Sequence, residues 1–464
     1  RKMKKLLPIV AAFALCSCTQ IAESKITFTE NTDIFSNPGQ GWERFSTKNT
    51  PSKNKVNFGA GYSRFLWRDL EPEEGKYNWK LIDDAIESFS KDGLPFYFRI
   101  MCVSSSGYPE KLQWPKWVMD KGAKYHEVVL QKPANAKYPD GKVPYIVPEF
   151  ADPIFMAAHE NFIKALAARY DGDPRIGAID LGSYGNWGEW HCACLGLGNY
   201  GGHRSPHTVE VRKKWGEMYM NNFKKTQIVS IVADPIVLEE NLGKGVPRVG
   251  LRSDGIGDPN NFHLSGSKKY ERIKNMGEVW KYCPMVFESI YDINGIKAKG
   301  WDVARALDWM RENHVSIVNE GPLQPRLAAA GSPEEKALRQ IDLYAGARLV
   351  PQTADVVYHN GKLDIKICGV NKGVARIYLP YKFVYEIRDA NGKVVAKKTS
   401  KTDPRSILPG EFEIADSFNF SLKNGQEYKL SLRVRNTDKV LRDFRFAAKN
   451  LNADGSLDLG TIKL

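Results

Sequence analysis

Short apolar runs alternate with amphipathic helical stretches from about Phe58 onward, and this alternation constrains the fold more than any other feature. Eight runs are strand candidates: a segment leading into or near 37-NPGQGW-42, then 61-GYSRFLW-67, 94-LPFYFRIMC-102, 176-IGAIDLG-182, 228-IVSIVAD-234, 248-RVGLRSDG-255, 284-PMVFES-289 and 315-VSIVNEG-321. Strands that alternate with helices indicate a parallel sheet, and eight such units close into a barrel. The sequence therefore predicts an α/β fold, a (β/α)8 TIM barrel over residues 30–350.

The helical stretches between the strands support the barrel. Residues 77–93 place apolar side chains on one face at helical spacing and end at Gly93. Residues 153–174 carry a similar stripe that includes His159, which we expect to be packed rather than to bind a ligand. The long insert over residues 103–149, rich in Gly, Pro and Lys, is expected to be a loop at the top of the barrel.

The pattern changes near Val350 to short alternating strands with Asn-Gly turns at 360–361, 391–392 and 424–425. No helical period follows, so residues 351–464 are predicted to form an all-β immunoglobulin-like sandwich. This segment holds 20 basic and 13 acidic side chains, which is most of the basic excess of a chain with net charge +13. The charge distribution argues against a nucleic-acid-binding barrel, and it permits a C-terminal surface that meets anionic polymers.

The N-terminal residues have the pattern of an export signal. A basic start and an apolar run from Leu6 to Leu15 predict a signal peptide over residues 1–17, too short to span a bilayer. Leu15-Cys16-Ser17-Cys18 resembles a bacterial lipobox, which implies lipidation of Cys18 and a tether over residues 18–29. We therefore expect an outer-membrane or cell-surface lipoprotein with its barrel on the periplasmic or extracellular face, in contact with the membrane only through the lipid.

Carboxylates, arginines and aromatic rings follow the strand candidates. Polar groups at the carboxyl ends of barrel strands meet at the barrel mouth, where function resides. Rings that stack on sugar faces, beside groups that bind hydroxyls, suit a carbohydrate. The predicted substrate-binding residues are Trp42, Arg44, Arg64, Trp67, Arg99, Tyr184, Asn186, Trp190, His191, Arg252, Asp254, Tyr291 and Glu320. The arginines leave an anionic sugar open as an alternative, although each could equally pair with a barrel carboxylate.

Two carboxylates are placed for glycosidic bond cleavage. Glu189 follows the fourth strand candidate and Glu288 ends the seventh, so both can point across the barrel mouth. Retaining hydrolysis needs two such groups, one protonated acid and one ionised nucleophile. Glu189 lies between Trp187 and Trp190, and apolar neighbours raise a carboxyl pKa, so it is predicted to be the acid/base. Glu288 is the predicted nucleophile if Arg252 or another cation keeps it ionised; this chemistry needs no cofactor.

The stretch 62-YSRFLWRDLEPEEGKYNWKLIDDAI-86 resembles the second strand and following helix of β-galactosidase-type members of glycoside hydrolase clan A. The stretch 157-AAHENFIKALAARYDGDPRIGAIDLG-182 is similar to the lead-in to that clan's fourth strand, and the C-terminal module resembles the sandwich of uncharacterised bacterial barrel proteins. The resemblance implies a glycosidase barrel with Glu189 as acid/base and Glu288 as nucleophile. Clan members place Asn directly before the acid/base, whereas this chain has Gly188, and Asn186 is the expected substitute.

Three alternatives stay open at this point. Glu320, at the end of the eighth strand candidate, is a rival for one catalytic position. A barrel that binds glycan without cutting it is a rival for the function. A disulfide from Cys102 to Cys192 or Cys194 is a rival for free buried thiols. His191, Cys192, Cys194 and His203 lack a standard zinc spacing, so no metal site is predicted.

Overall fold

The computed structural model describes residues 21–35, 37–50, 58–106, 110–197, 205–231, 236–237, 247–256, 278–298, 303–323, 328–329, 331–421, 423 and 425–463. The expected signal peptide, the lipidation site Cys18 and His203 lie outside these residues. The strands are β1 (Ile21–Thr27), β2 (Gly41–Phe45), β3 (Phe58–Leu66), β4 (Phe96–Val103), β5 (Tyr125–Gln131), β6 (Lys142–Pro148), β7 (Ile176–Asn186), β8 (Ile228–Ile231), β9 (Val249–Asp254), β10 (Met285–Glu288), β11 (Ile317–Asn319), β12 (Leu349–His359), β13 (Lys362–Asn371), β14 (Tyr381–Arg388), β15 (Val394–Thr399), β16 (Gly410–Asn419), β17 (Glu427–Asn436) and β18 (Leu457–Lys463).

Eight of these strands form a closed parallel barrel in the order β2-β3-β4-β7-β8-β9-β10-β11, with β11 pairing back onto β2. Each one falls within or beside a run that the sequence marked as a strand, so the predicted barrel is confirmed. Inside the barrel, a layer of apolar side chains fills the space below the mouth: Ala60, Tyr62, Tyr97, Ala178, Val229, Val286 and Ile317. The polar groups above this layer therefore stand on a packed floor.

Helices surround the barrel. They are α1 (Trp67–Leu70), α2 (Lys80–Ser90), α3 (Lys116–Asp120), α4 (Pro153–Tyr170), α5 (Val209–Asn222), α6 (Ile293–Ala298), α7 (Val303–Glu312) and α8 (Pro333–Tyr344), with 3-10 turns at Ala193–Leu195, Val279–Lys281 and Pro404–Ser406. In α4 the side chain of Asp152 caps the first turn and Pro153 occupies its first position, a favourable start for a helix. His159 of α4 is fully buried among aromatic rings, as its position on the apolar stripe predicted. Among the described helices, none has the length and apolar character that crossing a membrane requires.

The insert after β4 is more ordered than the loop that its composition suggested. It contains α3 and a hairpin in which β5 pairs antiparallel with β6 from Tyr125↔Pro148 to Gln131↔Lys142. Alternating Val, Leu, Tyr and Ile residues give this hairpin one packed face. Val128 and Leu130 lie against the main core, so the hairpin packs onto the barrel domain.

The C-terminal strands form two four-stranded antiparallel sheets, β1-β12-β13-β16 and β15-β14-β17-β18, that share one buried cluster. The first sheet begins with β1, which pairs with β12 over its whole length, from Ile21↔His359 to Thr27↔Thr353. The tether expected over residues 18–29 is therefore wrong for Ile21–Thr27. The motif reading missed β1 because its alternating pattern follows directly on the expected lipidation site. An immunoglobulin-like connectivity remains a prediction.

Candidate active site

One arginine joins the two glutamates that the sequence singled out. Arg64 of β3 donates from Nη1 to Oε1 of Glu189 over 3.0 Å, and from Nη2 to Oε2 of Glu288 over 2.8 Å and Oε1 over 3.1 Å. Glu288 ends β10 and Glu189 follows β7 by three residues. A guanidinium is a planar fork of five donors, so two carboxylates bound to it must lie close together. The barrel mouth therefore brings Glu189 and Glu288 into one site.

Two further arginines lie beneath this pair. Arg99 donates from Nη1 to Oε1 of Glu189 over 3.0 Å and from Nε to Oδ2 of Asp180 over 2.9 Å. Arg252 forms an ion pair with Glu288 and lies 3.5 Å from Oδ2 of Asp180. Both arginine side chains are almost completely buried, and burying a charge is tolerated only when it is paired. The three arginines and their carboxylates form one connected network that fixes the glutamates.

Glu189 stands on a tight loop with unusual backbone angles. Trp187, Gly188 and Trp190 all have positive φ, at 55°, 67° and 59°. Non-glycine residues rarely adopt such angles, and they persist only where the surroundings hold them. The loop turns Trp190 into the core, where its Nε1 donates to the carbonyl of Leu181 over 2.8 Å, and it turns Glu189 toward the barrel axis.

The environment of Glu189 is charged rather than apolar. Burial raises the pKa of its carboxyl, but Arg64, His191 and Arg99 outweigh burial and hold this pKa well below its usual range. The expectation that the surroundings raise the pKa of Glu189 is therefore wrong, because the positive charges of Arg64, His191 and Arg99 dominate at the carboxyl. His191 lies 3.5 Å from Oε2 of Glu189. Burial lowers the pKa of His191, but Cys194 and Glu189 outweigh burial and bring this pKa to about 9.

Two other carboxyl groups at the mouth have raised pKa values. Burial and the nearby Glu189 carboxylate raise the pKa of Asp254. Complete burial raises the pKa of Glu43 to about 8, although Arg252 and a 2.6 Å hydrogen bond from Nδ2 of Asn319 oppose this change. At neutral pH the Glu43 carboxyl is therefore mostly protonated inside the barrel.

Several predicted sugar ligands do not face the mouth. Trp42 and Trp67 lie in the core between strands and helices, where Trp67 donates to Glu71 over 2.8 Å. Arg44 donates to the Thr50 hydroxyl over 2.6 Å outside the barrel. Tyr184 hydrogen-bonds to His207 over 2.6 Å and packs on Trp190 at 5.2 Å. The sequence located the strands correctly, but it could not show which face of each strand end these side chains take.

Asn186 does not substitute for the missing asparagine. Its Nδ2 donates to Oγ of Ser105 and to Sγ of Cys194, both over 2.9 Å, and its Oδ1 accepts from the backbone of Ser105. The side chain is fully buried. Its hydrogen bonds join the Glu189 loop to the loop that follows β4. Asn186 is therefore a loop-anchoring residue in this structure.

Glu320 and Tyr291 follow the ends of β11 and β10. Glu320 is buried, and its Oε1 accepts from the backbone N–H of Phe45 over 3.3 Å, a contact that supports the end of β2. Tyr291 is half-buried beyond the end of β10, and its carbonyl accepts from the Ser289 hydroxyl over 3.1 Å.

Four residues of the site were not predicted from the sequence. Tyr62 and Asp180 lie within strands rather than at their ends, and the Tyr62 hydroxyl donates to Asp180 over 2.8 Å. Glu43 lies in β2 between Trp42 and Arg44, and its side chain is buried inside the barrel. Phe45 ends β2 with its ring 40% exposed and 5.3 Å from the Arg64 guanidinium. Its position at a strand end, directly after two polar residues, is the signal that could have identified it.

The cysteines near the site are free thiols. Cys102 and Cys192 are buried, Cys194 is exposed, and no bridge joins them. Cys102 instead lies 4.0 Å from Nδ1 of His159. Within the part of the chain that the structure describes, no group of three or more His, Cys, Asp or Glu side chains is arranged to hold a metal ion.

Comparison with known proteins gives a partial match. Residues 37–194 match the model of glycoside hydrolase family 42, described as β-galactosidase. The chain is 26% identical over 141 residues to the β-galactosidase BgaA of a Thermus species, which is 29% of this chain and 20% of that protein. It is 25% identical over 132 residues to a β-galactosidase of Thermus thermophilus, 28% of this chain and 18% of that protein. The chain thus spans about a fifth of the length of these relatives.

Among solved structures, the lactosyl-enzyme intermediate of endo-glycoceramidase II from a Rhodococcus species aligns with a TM-score of 0.43 at 13% identity. The alignment covers 86% of this chain and all of that one. The catalytic domain of the major endoglucanase of Xanthomonas campestris aligns with a TM-score of 0.37 at 11% identity, over 68% of this chain and 99% of that one. Residues 37–194, which hold the first four barrel strands and the Glu189 loop, are β-galactosidase-like in sequence, as the motif at 62–86 predicted.

Proposed function

We propose that this protein is a retaining glycoside hydrolase that acts on a glycan or oligosaccharide outside the cytoplasm. The observation that carries the proposal is the shared contact of Glu189 and Glu288 with Arg64. Double displacement needs two carboxyl groups on either side of one glycosidic bond, close enough to act on the same anomeric centre. Placing both on one guanidinium at the mouth of a barrel meets that need.

In the proposed reaction Glu288 attacks the anomeric carbon while Glu189 protonates the departing oxygen. Glu189 then takes a proton from water, and the water displaces Glu288 with retention of configuration. Arg64 and Arg252 both pair with Glu288, which favours the ionised form that a nucleophile requires. Glu189 lies within the β-galactosidase-like segment, residues 37–194, whereas the role of Glu288 is proposed from its place at the end of β10 and its contact with Arg64.

A neutral sugar fits the site better than an anionic one. Arg64, Arg99 and Arg252 are each paired with barrel carboxylates, so their charge is already compensated. The matched relatives are β-galactosidases by name, which makes β-D-galactosides the first substrates to test.

A glycan-binding barrel without activity is the second candidate, and one observation favours it. The residue before Glu189 is Gly188, and Asn186 is fully engaged within the loop. The 2-hydroxyl partner that the clan resemblance implies is therefore missing at both positions. Hydrogen bonds to that hydroxyl strengthen in the transition state, so their absence would weaken catalysis more than binding.

Separate Glu189→Gln and Glu288→Gln variants distinguish the two candidates. We expect wild type to hydrolyse at least one member of a panel of aryl glycosides and plant or host glycans, and each variant to lose at least about 10²-fold in kcat/KM. The control is Glu74→Gln, because Glu74 is an exposed carboxylate outside the site. Binding of a panel glycan without cleavage by wild type would support the binding protein instead. Proton NMR of the first-formed product anomer tests retention.

The proposed location is the cell envelope, through lipid on Cys18. A diacylated, N-acylated cysteine carries more than one chain, and each buried CH₂ contributes about 0.8 kcal/mol, so the anchor would be stable. In a bacterial host we expect wild type in the membrane fraction and a Cys18→Ala variant outside it. Equal membrane recovery of the two proteins would contradict the anchor.

A further inference from the structure

The two oxygens of the Glu189 carboxyl have different surroundings. Oε1 accepts from Nη1 of Arg64 and Nη1 of Arg99, each over 3.0 Å. Oε2 faces Nε2 of His191 at 3.5 Å, and no arginine of the described residues contacts it. Oε1 is thus held as the anionic oxygen, whereas Oε2 is the one that can exchange a proton with a substrate.

This arrangement creates a chemical problem for the proposed reaction. A general acid must carry a proton when the glycosidic bond breaks, yet two arginines and His191 hold Glu189 in its ionised form. A proton for Oε2 must therefore come from a neighbouring group that is itself protonated at the working pH.

His191 is positioned to be that group. Its carbonyl accepts from the backbone N–H of Asn186 over 2.9 Å, and its ring lies against Trp187 at 5.7 Å, so the imidazole is fixed beside the carboxyl. Its Nδ1 lies 3.5 Å from Sγ of Cys194, which leaves Nε2 directed at Oε2. A histidine between a carboxylate and a thiol favours the imidazolium, in which both ring nitrogens carry protons.

We propose that His191 supplies the proton that Glu189 delivers to the leaving group, an inference that rests on the proposed hydrolase function. Nε2 of the imidazolium gives its proton to Oε2 as the increasingly basic glycosidic oxygen draws a proton from the carboxyl, so protonated Glu189 is only transient and His191 is left neutral. Glu189 passes this proton to the glycosidic oxygen as its bond to the anomeric carbon breaks and Glu288 forms the new bond. In the second half, Glu189 takes a proton from the attacking water and returns it to His191, so the cycle closes without any other reactant.

Five groups of the described residues set the charge around His191: Glu189, Cys194, Arg64, Arg99 and Asp254. Among the described residues, Glu189 and Cys194 are the titratable groups in contact with His191. Arg64 of β3 and Arg99 of β4 act on it through the Glu189 carboxylate, and Asp254 of β9 acts on that carboxylate from the far side. The basic limb of the pH profile should therefore report the His191–Glu189 pair as a unit rather than either group alone.

The test compares two leaving groups in a His191→Gln variant. The amide nitrogen of glutamine reaches the position of Nε2 and can keep a hydrogen bond to Oε2, but it cannot give up a proton. The probes are the phenyl and 2,4-dinitrophenyl glycosides of the sugar that the panel identifies, beginning with β-D-galactose. Dinitrophenolate leaves without protonation, whereas phenolate needs a proton. We expect the variant to lose at least about tenfold in kcat/KM on the phenyl glycoside and less than about threefold on the dinitrophenyl glycoside.

The pH profile gives a second readout. In wild type the proton is retained up to the raised pKa of the imidazolium, so activity on the phenyl glycoside should persist above neutrality. In the variant the proton for the leaving group can come only from the Glu189 carboxyl, whose pKa is lowered by Arg64 and Arg99. The basic limb should therefore move to lower pH by at least about one unit. A His126→Gln variant is the control, because His126 is an exposed histidine that pairs with Glu149 through Nε2 outside the network.

Equal losses on both glycosides, or an unmoved basic limb, would show that His191 only positions Glu189 and would overturn the inference while leaving the hydrolase function intact. If wild type cleaves no glycoside of the panel, the hydrolase proposal itself is wrong, and the inference is overturned with it. Failure of the inference is measured on the His191 variant and failure of the hydrolase proposal on wild type, so the two can be distinguished.

Discussion

Gly188 lies so close to Ser183 that a Cβ on this glycine would sit 2.9 Å from the Ser183 backbone nitrogen. It would also lie 3.0 Å from the carbonyl oxygen of Ile100, and φ at Gly188 is 67°. Restoring the asparagine that clan members carry at this position therefore requires backbone movement. The absence of Asn before Glu189 is a property of the loop geometry and not a single exchange that can be reversed.

A Gly188→Asn variant should be less stable than wild type and should not gain activity. The positive φ costs an L-residue about 1–2 kcal/mol, and the contact with Ser183 adds to that cost. Urea unfolding measures the change in the free energy of unfolding. Gly75→Asn is the matched control, since Gly75 has φ of 70° and nothing within 4 Å of its Cβ position. Equal destabilisation of the two variants would show that the packing at Gly188 is unimportant.

An Arg64→Lys variant should lose about 10²-fold or more in kcat/KM. Lysine keeps the charge, but a compact ammonium cannot reproduce the planar fork that holds Glu189 and Glu288 together. Arg68→Lys is the control, because Arg68 lies on the neighbouring helix α1 and pairs with Asp69 and Glu110 at the surface. Wild-type rates in Arg64→Lys would mean that the shared contact has no role in the reaction.

The sequence predicted the barrel well because each strand is a buried apolar run with helical patterns on either side, and that signal is local. It also placed Glu189 and Glu288 at strand ends, which follows from the same pattern. It could not predict that Trp190 turns into the core while Glu189 meets Arg64 and Arg99, because three positive φ angles in that loop decide the outcome. The missed strand Ile21–Thr27 has an alternating pattern, but its partner lies more than 320 residues away, and no local pattern identifies a partner at that distance.

Glu43 makes stability depend on pH. Its pKa is about 8 in the folded protein against an ordinary value of 4.5, so folding favours the protonated form. The stabilisation is complete below about pH 4.5 and is lost as the pH rises through about 8. The shift corresponds to about 5 kcal/mol as an order of magnitude. A Glu43→Gln variant, which mimics the neutral carboxyl, should remove this part of the pH dependence.

Urea unfolding of wild type and Glu43→Gln at several pH values between 5 and 9 measures the effect. The wild type should lose stability relative to the variant steadily from about pH 5 to about pH 8, and the difference should level off above about pH 8. A Glu74→Gln variant controls for the general effect of removing a carboxylate. A constant difference between wild type and Glu43→Gln at all pH values would mean that Glu43 does not bind a proton on folding.

Phe45 should contribute to sugar binding at the mouth. Its ring is 40% exposed and lies 5.3 Å from the guanidinium of Arg64, so a sugar held between the two glutamates can contact it. Replacing an aromatic platform by alanine removes about 1 kcal/mol of contact energy, so Phe45→Ala should raise KM about fivefold while Phe45→Tyr stays near wild type. Leu81→Ala is the control, since Leu81 is 39% exposed on helix α2. An unchanged KM in Phe45→Ala would place the sugar elsewhere in the mouth.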